Sequence, residues 1–290
     1  MLSSSQFRLH LIVFLWGFTA ILGKLIEVDA MVLVFYRTLL ACGFLYFFIR
    51  FIKKQSLAVR KKTLLQLLAI GGVLGFHWLA FFTSIKIANV SIALSCLSLV
   101  TLFVSIIEPI VFKRKIDMVE LIIGLVIVAC ISLIFNTEIQ HKEGIIYGII
   151  CAFLGAIFTT LNGKMFGKAS SENVIFYEML GGWGIVALFM LFAGDITTVA
   201  QLDTYNTVLL LVLASLFTAY PMLESIKLME YISPFTLALT VNLEPVYGII
   251  LAFFIFGQSE HMSPIFYIAS LVMILAIVVN GIIKARRKKQ

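Results

Sequence analysis

Apolar runs long enough to cross a membrane recur along the whole chain and are separated by short polar breaks. Ten such runs lie between Leu9 and Ile283. Each is close to the roughly 20 residues with which an α-helix crosses about 30 Å of hydrocarbon. Lipid offers no hydrogen bonds to the backbone, so only helices and closed β-barrels span it, and barrel strands need only about 9–11 residues. The sequence therefore predicts an all-α membrane protein with ten transmembrane helices.

The composition supports lipid as the solvent for much of the surface. Hydrophobic residues make up 61% of the chain and charged residues 13%, whereas soluble domains are about half apolar and a quarter charged. All four cysteines lie inside apolar runs and form no ligand motif. They are predicted to pack as small hydrophobic residues, so we expect no disulfide, no metal site and no cofactor.

The basic residues are concentrated in alternate loops. If the N-terminus is cytoplasmic, 18 of the 22 Lys and Arg residues lie on the cytoplasmic side. This is the asymmetry that sets the orientation of membrane proteins. It also accounts for the net charge of +7, so we expect no nucleic-acid partner. The sequence predicts a multi-pass protein of the bacterial inner membrane with both termini cytoplasmic.

Short motifs of the first half recur in the second half at a nearly constant shift of 140 or 141 residues. The pairs are Gly23-Lys24 with Gly163-Lys164, Phe35-Tyr36 with Phe176-Tyr177, Gly43 with Gly184, and Ser84-Ile85-Lys86 with Ser225-Ile226-Lys227. The pairs predict two five-helix repeats, with domains at 1–140 and 141–290. Because five is odd, the second repeat enters the membrane from the opposite side. Inverted repeats of this kind are typical of transporters that work by alternating access.

Four short motifs, in their order and spacing along the chain, resemble those of the drug/metabolite transporter superfamily, specifically its EamA-type members with ten helices. The resemblance rests on Trp16-Gly17, Tyr36 to Leu40, Gly71 to Lys86, and Asn242 to Val246, which contains Glu244-Pro245. It implies a central cavity lined by the first four helices of each repeat. It also implies export or exchange of amino acids or other small metabolites without ATP hydrolysis, and therefore no enzyme.

Ionisable groups inside the apolar runs are costly in lipid and mark candidate binding residues. Arg37 lies eight residues into the second run, where it could bind an anionic group or clamp neighbouring helices. Glu178 occupies the matching position of the second repeat with the opposite charge. If both faced one cavity, they would form a dipolar site suited to zwitterions. His77, past the middle of the third run, could line the path and carry a proton, or could simply satisfy hydrogen bonds.

Glu244 lies at the middle of the ninth run, and Pro245 after it removes a helical hydrogen bond. This carboxyl could exchange protons or bind an amine, or the two residues could act only as a hinge. Tyr247 shares the helix face of Glu244. Trp78 in the third run could stack on a substrate or serve only in packing. The further candidates are Asn162, Tyr177 and Asn242; Asn162 and Tyr177 could equally hold helices together.

The combined pattern favours a secondary transporter, an exporter or exchanger of small metabolites. The expected partners are a small-molecule substrate, protons as a candidate coupling ion, and membrane lipid; monomer and homodimer are both open. A membrane-embedded enzyme and a passive channel remain alternatives. The four histidines form no zinc-protease motif, and the sequence contains no Gly-rich phosphate-binding loop.

Overall fold

The computed structural model describes residues 4–165, 167–193, 202–228, 240–241 and 243–287, and all regular structure in these residues is helical. The α-helices are α1 Ser4–Leu25, α2 Ala30–Phe47, α3 Lys61–Ile87, α4 Val90–Leu97, α5 Leu99–Phe112, α6 Met118–Thr137, α7 Lys142–Gly163, α8 Ser171–Ala193, α9 Thr204–Ala214, α10 Tyr220–Leu228, α11 Glu244–Phe256 and α12 Pro264–Arg287. Turns of π-helix extend α2 (Phe48–Ile52) and join α9 to α10 (Ser215–Ala219). Helices α4 and α5 together form one span, as do α9 and α10.

Nine membrane-length spans lie within the described residues, and contacts at the two ends of the bundle identify a tenth crossing. At one end, Lys24 after the first crossing forms an ion pair with Glu260 at 2.7 Å. At the other end, the ammonium of Lys227 lies 5.4 Å from the ring of Phe48, where the second crossing ends. The chain must therefore cross once more between Lys227 and Glu260, and α11 lies in that segment. The prediction of ten transmembrane helices is confirmed.

The repeat relationship is visible in the helices that carry the matching motifs. Tyr36 lies on α2, the second crossing, and Tyr177 lies on α8, the seventh. With five crossings per repeat, the two helices run in opposite directions through the membrane. The predicted architecture of two inverted repeats is therefore present. The division at residues 140 and 141 stays a prediction.

The third crossing of each repeat differs in its local structure. In the first repeat it is the continuous helix α3, whereas in the second it is interrupted by the π-helical turn between α9 and α10. Pro221 follows this turn and has no N–H to donate to the carbonyl of Phe217. The hydroxyl of Thr19 on α1 lies 3.4 Å from that carbonyl. A proline and a π-helical turn therefore shape the third crossing in the second repeat but not in the first.

Helices α3 and α8 approach each other so closely that backbone meets backbone. A Cβ atom at Gly71 would overlap the main chain of Glu178, and one at Gly75 would lie 2.9 Å from the carbonyl oxygen of Gly182. Small residues four positions apart are typical of membrane helices that pack tightly, because lipid provides no hydrophobic drive for their association. This contact joins the two repeats near the centre of the bundle.

Candidate functional site

Arg37 lies at the centre of the bundle and is held by groups from both repeats. Its side chain is 2% exposed. The guanidinium carbon lies 4.0 Å from the ring centroid of Trp78 and 5.3 Å from that of Phe82, both on α3. Its Nε donates a 2.8 Å hydrogen bond to the hydroxyl of Thr218. Among the described residues, Nη1 has no hydrogen-bond partner. Arg37 is therefore fixed in place and keeps a donor available for an acceptor.

Thr218, which accepts the bond from Arg37, is a residue of the candidate site that the sequence did not predict. It lies in the π-helical turn between α9 and α10, and its hydroxyl donates to the carbonyl of Leu213 at 2.7 Å. With its proton committed to that carbonyl, the oxygen presents a lone pair to Arg37. The repeat shift of 141 residues could have identified this position, because it matches Thr218 with His77.

Glu244 is the acidic residue whose charge acts on Arg37. It is the first residue of α11, and Pro245 lies in the first turn. The prediction that Pro245 removes a helical hydrogen bond is therefore wrong, because an N–H at this position has no helical partner. The carboxyl and the guanidinium interact electrostatically, but the described residues show no direct ion pair between them. The start of a helix carries partial positive charge, which stabilises a carboxylate. The site therefore contains one cation and one acid that do not neutralise each other by direct contact.

His77 faces α7 at the edge of this site. Its Nδ1 lies 2.8 Å from the carbonyl oxygen of Cys151 and 3.4 Å from the thiol sulfur of the same residue. A ring nitrogen that meets a carbonyl must carry the proton, which leaves Nε2 of the neutral ring as an acceptor. Gly155, one turn further along α7, leaves room for the ring, since a Cβ there would lie 3.0 Å from it.

Glu178 lies apart from Arg37, in contact with α7. Asn162 donates from Nδ2 to its Oε2 at 3.3 Å, and the side chain is fully buried. Its other oxygen, Oε1, has no hydrogen-bond partner among the described residues. The structure does not pair Arg37 with Glu178 in one dipolar site; Glu244 is the acid that acts on Arg37. Glu178 is turned to Asn162 of α7, whereas Arg37 is turned to Trp78 of α3 and to Thr218, which separates the two charges.

Two further candidates, Tyr177 and Tyr247, form hydrogen bonds with groups other than Arg37. The hydroxyl of Tyr177 donates to the carbonyl of Leu57 at 2.7 Å, and that of Tyr247 lies 3.2 Å from Nδ1 of His10. Both tyrosines thus connect helices or loops, the alternative that the sequence left open for Tyr177. Asn242 lies outside the described residues. For these three residues, a role in binding stays a prediction.

Comparison with known proteins identifies the family. The model of the EamA-like transporter family matches residues 7–136 and again residues 142–282. The chain belongs to the EamA-like transporter family. One match covers each half of this EamA-like protein, in agreement with two repeats, and the resemblance to EamA-type proteins is confirmed. As a family member with membrane-length helices throughout its described residues, it is a multi-pass membrane protein.

Two further similarities are informative. "Uncharacterized transporter YxxF" of Bacillus subtilis (strain 168) is 25% identical over 199 residues, which is 66% of this chain and 62% of that protein. The matched part of the chain thus spans less than two thirds of this relative. One solved crystal structure of a protein has a TM-score of 0.66 at 14% identity, with 98% of this chain and 99% of that chain covered. This second likeness shows a shared fold alone.

Proposed function

We propose that this EamA-like protein is a secondary transporter that exports or exchanges small metabolites by alternating access. The observation that carries the proposal is the hydrogen bond at the buried Arg37, which joins the first repeat to Thr218 of the second. Glu244, also of the second repeat, acts on Arg37 electrostatically without direct contact. Charged groups at this depth are costly unless they bind something or pair. The family and the transporter-named relative support transport over an enzyme.

The chemistry of the cluster favours a substrate with a carboxylate and an amine. The unpartnered Nη1 of Arg37 can donate to a carboxylate, the ligand that guanidinium binds best. Glu244 can accept the amine or take up a proton. The faces of Trp78 and Phe82 flank Arg37 and offer apolar contact. Amino acids combine these features, and they are the substrate class that we propose, with protons as the candidate coupling ion.

The inverted repeats support alternating access as the mechanism. Since the cluster is built from both halves, rocking of one half against the other would expose it first to one side and then to the other. We place the protein in the bacterial inner membrane with both termini cytoplasmic, as the basic loops predict. Export or exchange of a metabolite is the direction that the resemblance to EamA-type transporters implies.

Counterflow into proteoliposomes tests the proposal. Purified protein is reconstituted with an unlabelled amino acid inside, and uptake of the labelled amino acid is followed, after a thermal-shift screen of amino acids, nucleosides and sugars has selected the ligands. A carrier gives saturable uptake that internal substrate accelerates. Flux without such acceleration would indicate a channel, and chemical conversion of the ligand would indicate an enzyme; either result contradicts the proposal.

A further inference from the structure

The repeat shift relates one hydrogen bond seen in the structure to a second pair of residues. Arg37 corresponds to Glu178, and Thr218 corresponds to His77, each by 141 residues. The bond from Arg37 to Thr218 joins the second crossing of one repeat to the third crossing of the other. Its counterpart under the repeat symmetry is a bond between Glu178 and His77.

Only one of these two bonds is present in the structure. Arg37 donates to Thr218 at 2.8 Å. Glu178 is fully buried and its Oε1 has no partner among the described residues, while His77 is turned to the carbonyl of Cys151. Buried carboxyl oxygens are nearly always hydrogen-bonded in folded proteins. The unpartnered oxygen therefore indicates a contact that this conformation lacks.

A local difference between the repeats explains the asymmetry. The π-helical turn Ser215–Ala219, which carries Thr218, corresponds to residues 74–78, where α3 is a regular helix carrying His77. Turns of π-helix inside α-helices redirect side chains and often occur at functional sites. In this conformation Thr218 of the second repeat accepts a hydrogen bond from Arg37. His77 of the first repeat instead stays bonded to the Cys151 carbonyl on α7.

Helix α3 meets α8 mainly through backbone atoms. At this contact, the backbone at Gly71 meets that of Glu178, and Gly75 meets Gly182. The side chain of Ile185 on α8 also lies beside Gly75. Around the two groups, α7 contributes Asn162 and Cys151, and α2 contributes Arg37, which acts on His77 electrostatically.

We propose that in the second state of alternating access the ring N–H of His77 leaves the Cys151 carbonyl and donates a hydrogen bond to Oε1 of Glu178. In that state the two repeats exchange their conformations, and Arg37 releases Thr218. The inference rests on the proposed alternating access. Each state would then hold one bond between the second crossing of one repeat and the third of the other. His77 and Glu178 act as positioning residues for the transition.

Nitrogen NMR of the full chain labelled with ¹⁵N-histidine tests the contact without relying on transport. The protein has four histidines, and His77→Gln assigns the signal of interest. We expect the ring nitrogens of His77 to exchange between two environments, and Glu178→Leu, whose side chain cannot form a hydrogen bond, to leave only the one bonded to the Cys151 carbonyl. Glu224→Leu, at a carboxyl that pairs with Arg8, is the control and should not change the signal. Identical His77 signals in the parent and in Glu178→Leu would overturn the proposal.

Counterflow rates then test the role of the bond. His77→Phe and Glu178→Leu should each slow exchange about tenfold, the scale of one hydrogen bond to a charged group. The double variant should be no slower than the slower single variant, because either substitution alone already removes the bond. Glu178→Leu combined with Glu224→Leu should instead show multiplied effects. Multiplied effects for His77→Phe with Glu178→Leu contradict the proposal. Absence of counterflow in the parent protein contradicts the transport function, and the NMR result still decides the contact.

Discussion

The guanidinium of Arg37 lies over the indole of Trp78, with 4.0 Å between the guanidinium carbon and the ring centroid. Its Nε simultaneously donates to Thr218. Stacking and a directed hydrogen bond both depend on a planar guanidinium, which lysine cannot replace. A cation over a desolvated aromatic face gains roughly 2 kcal/mol. The pair shows how a charge is held at membrane depth while one of its donors stays available.

Replacing Arg37 by lysine should therefore impair transport although the charge is retained. An ammonium loses the Nε bond and the stacking, so we expect counterflow to fall by at least about tenfold, equivalent to roughly 1.4 kcal/mol. Trp78→Phe keeps an aromatic face and should be milder than Trp78→Ala. Size-exclusion profiles check folding. Parental counterflow in Arg37→Lys would show that neither contact matters.

Thr218→Val should reveal the contribution of the hydroxyl. Valine has nearly the same shape but leaves Nε of Arg37 without its acceptor, an unsatisfied buried donor that costs about 1–3 kcal/mol. We expect a lower thermal unfolding midpoint and weaker substrate binding. Thr218→Ser keeps the hydroxyl and serves as the matched control. Equal midpoints for the valine and serine variants would remove Thr218 from the site.

Gly71→Ala should destabilise the protein through the contact between α3 and α8. The added Cβ would overlap the backbone of Glu178, and overpacking of this kind costs roughly 1–3 kcal/mol. Gly184→Ala on α8 is the control, since a Cβ there meets nothing within 4 Å. Thermal unfolding in detergent compares the two. A midpoint for Gly71→Ala equal to that of the control would contradict the close approach.

The fold and some residues of the candidate site could be predicted because they depend on properties of the sequence itself. Span length and the repeat shift identify ten crossings in two inverted halves, and the cost of charge in lipid identifies Arg37, His77 and Glu244 as candidates. The neighbours of these residues could not be predicted in the same way. The packing of helices from different repeats decides that Glu244 acts on Arg37. It also decides that the π-helical turn places Thr218 beside Arg37.

The orientation in the membrane is a separate prediction from the basic loops. A membrane-impermeant thiol reagent added outside should label single cysteines placed at residues 138–143 and should not reach those at residues 60–62. The four native cysteines are buried, so they should contribute little background. The reverse labelling pattern would place the termini outside.

The most direct test of the central claim is counterflow by Glu244→Gln at several pH values. Glutamine keeps the size and hydrogen bonding of the side chain but cannot titrate or carry charge. If the cluster of Arg37 and Glu244 is the transport site, the variant should fold, with an unfolding midpoint close to that of the parent. It should also lose most of its counterflow or the pH dependence of that counterflow. If Glu244→Gln exchanges substrate as the parent does at every pH, the carboxyl is structural and the proposed site is wrong.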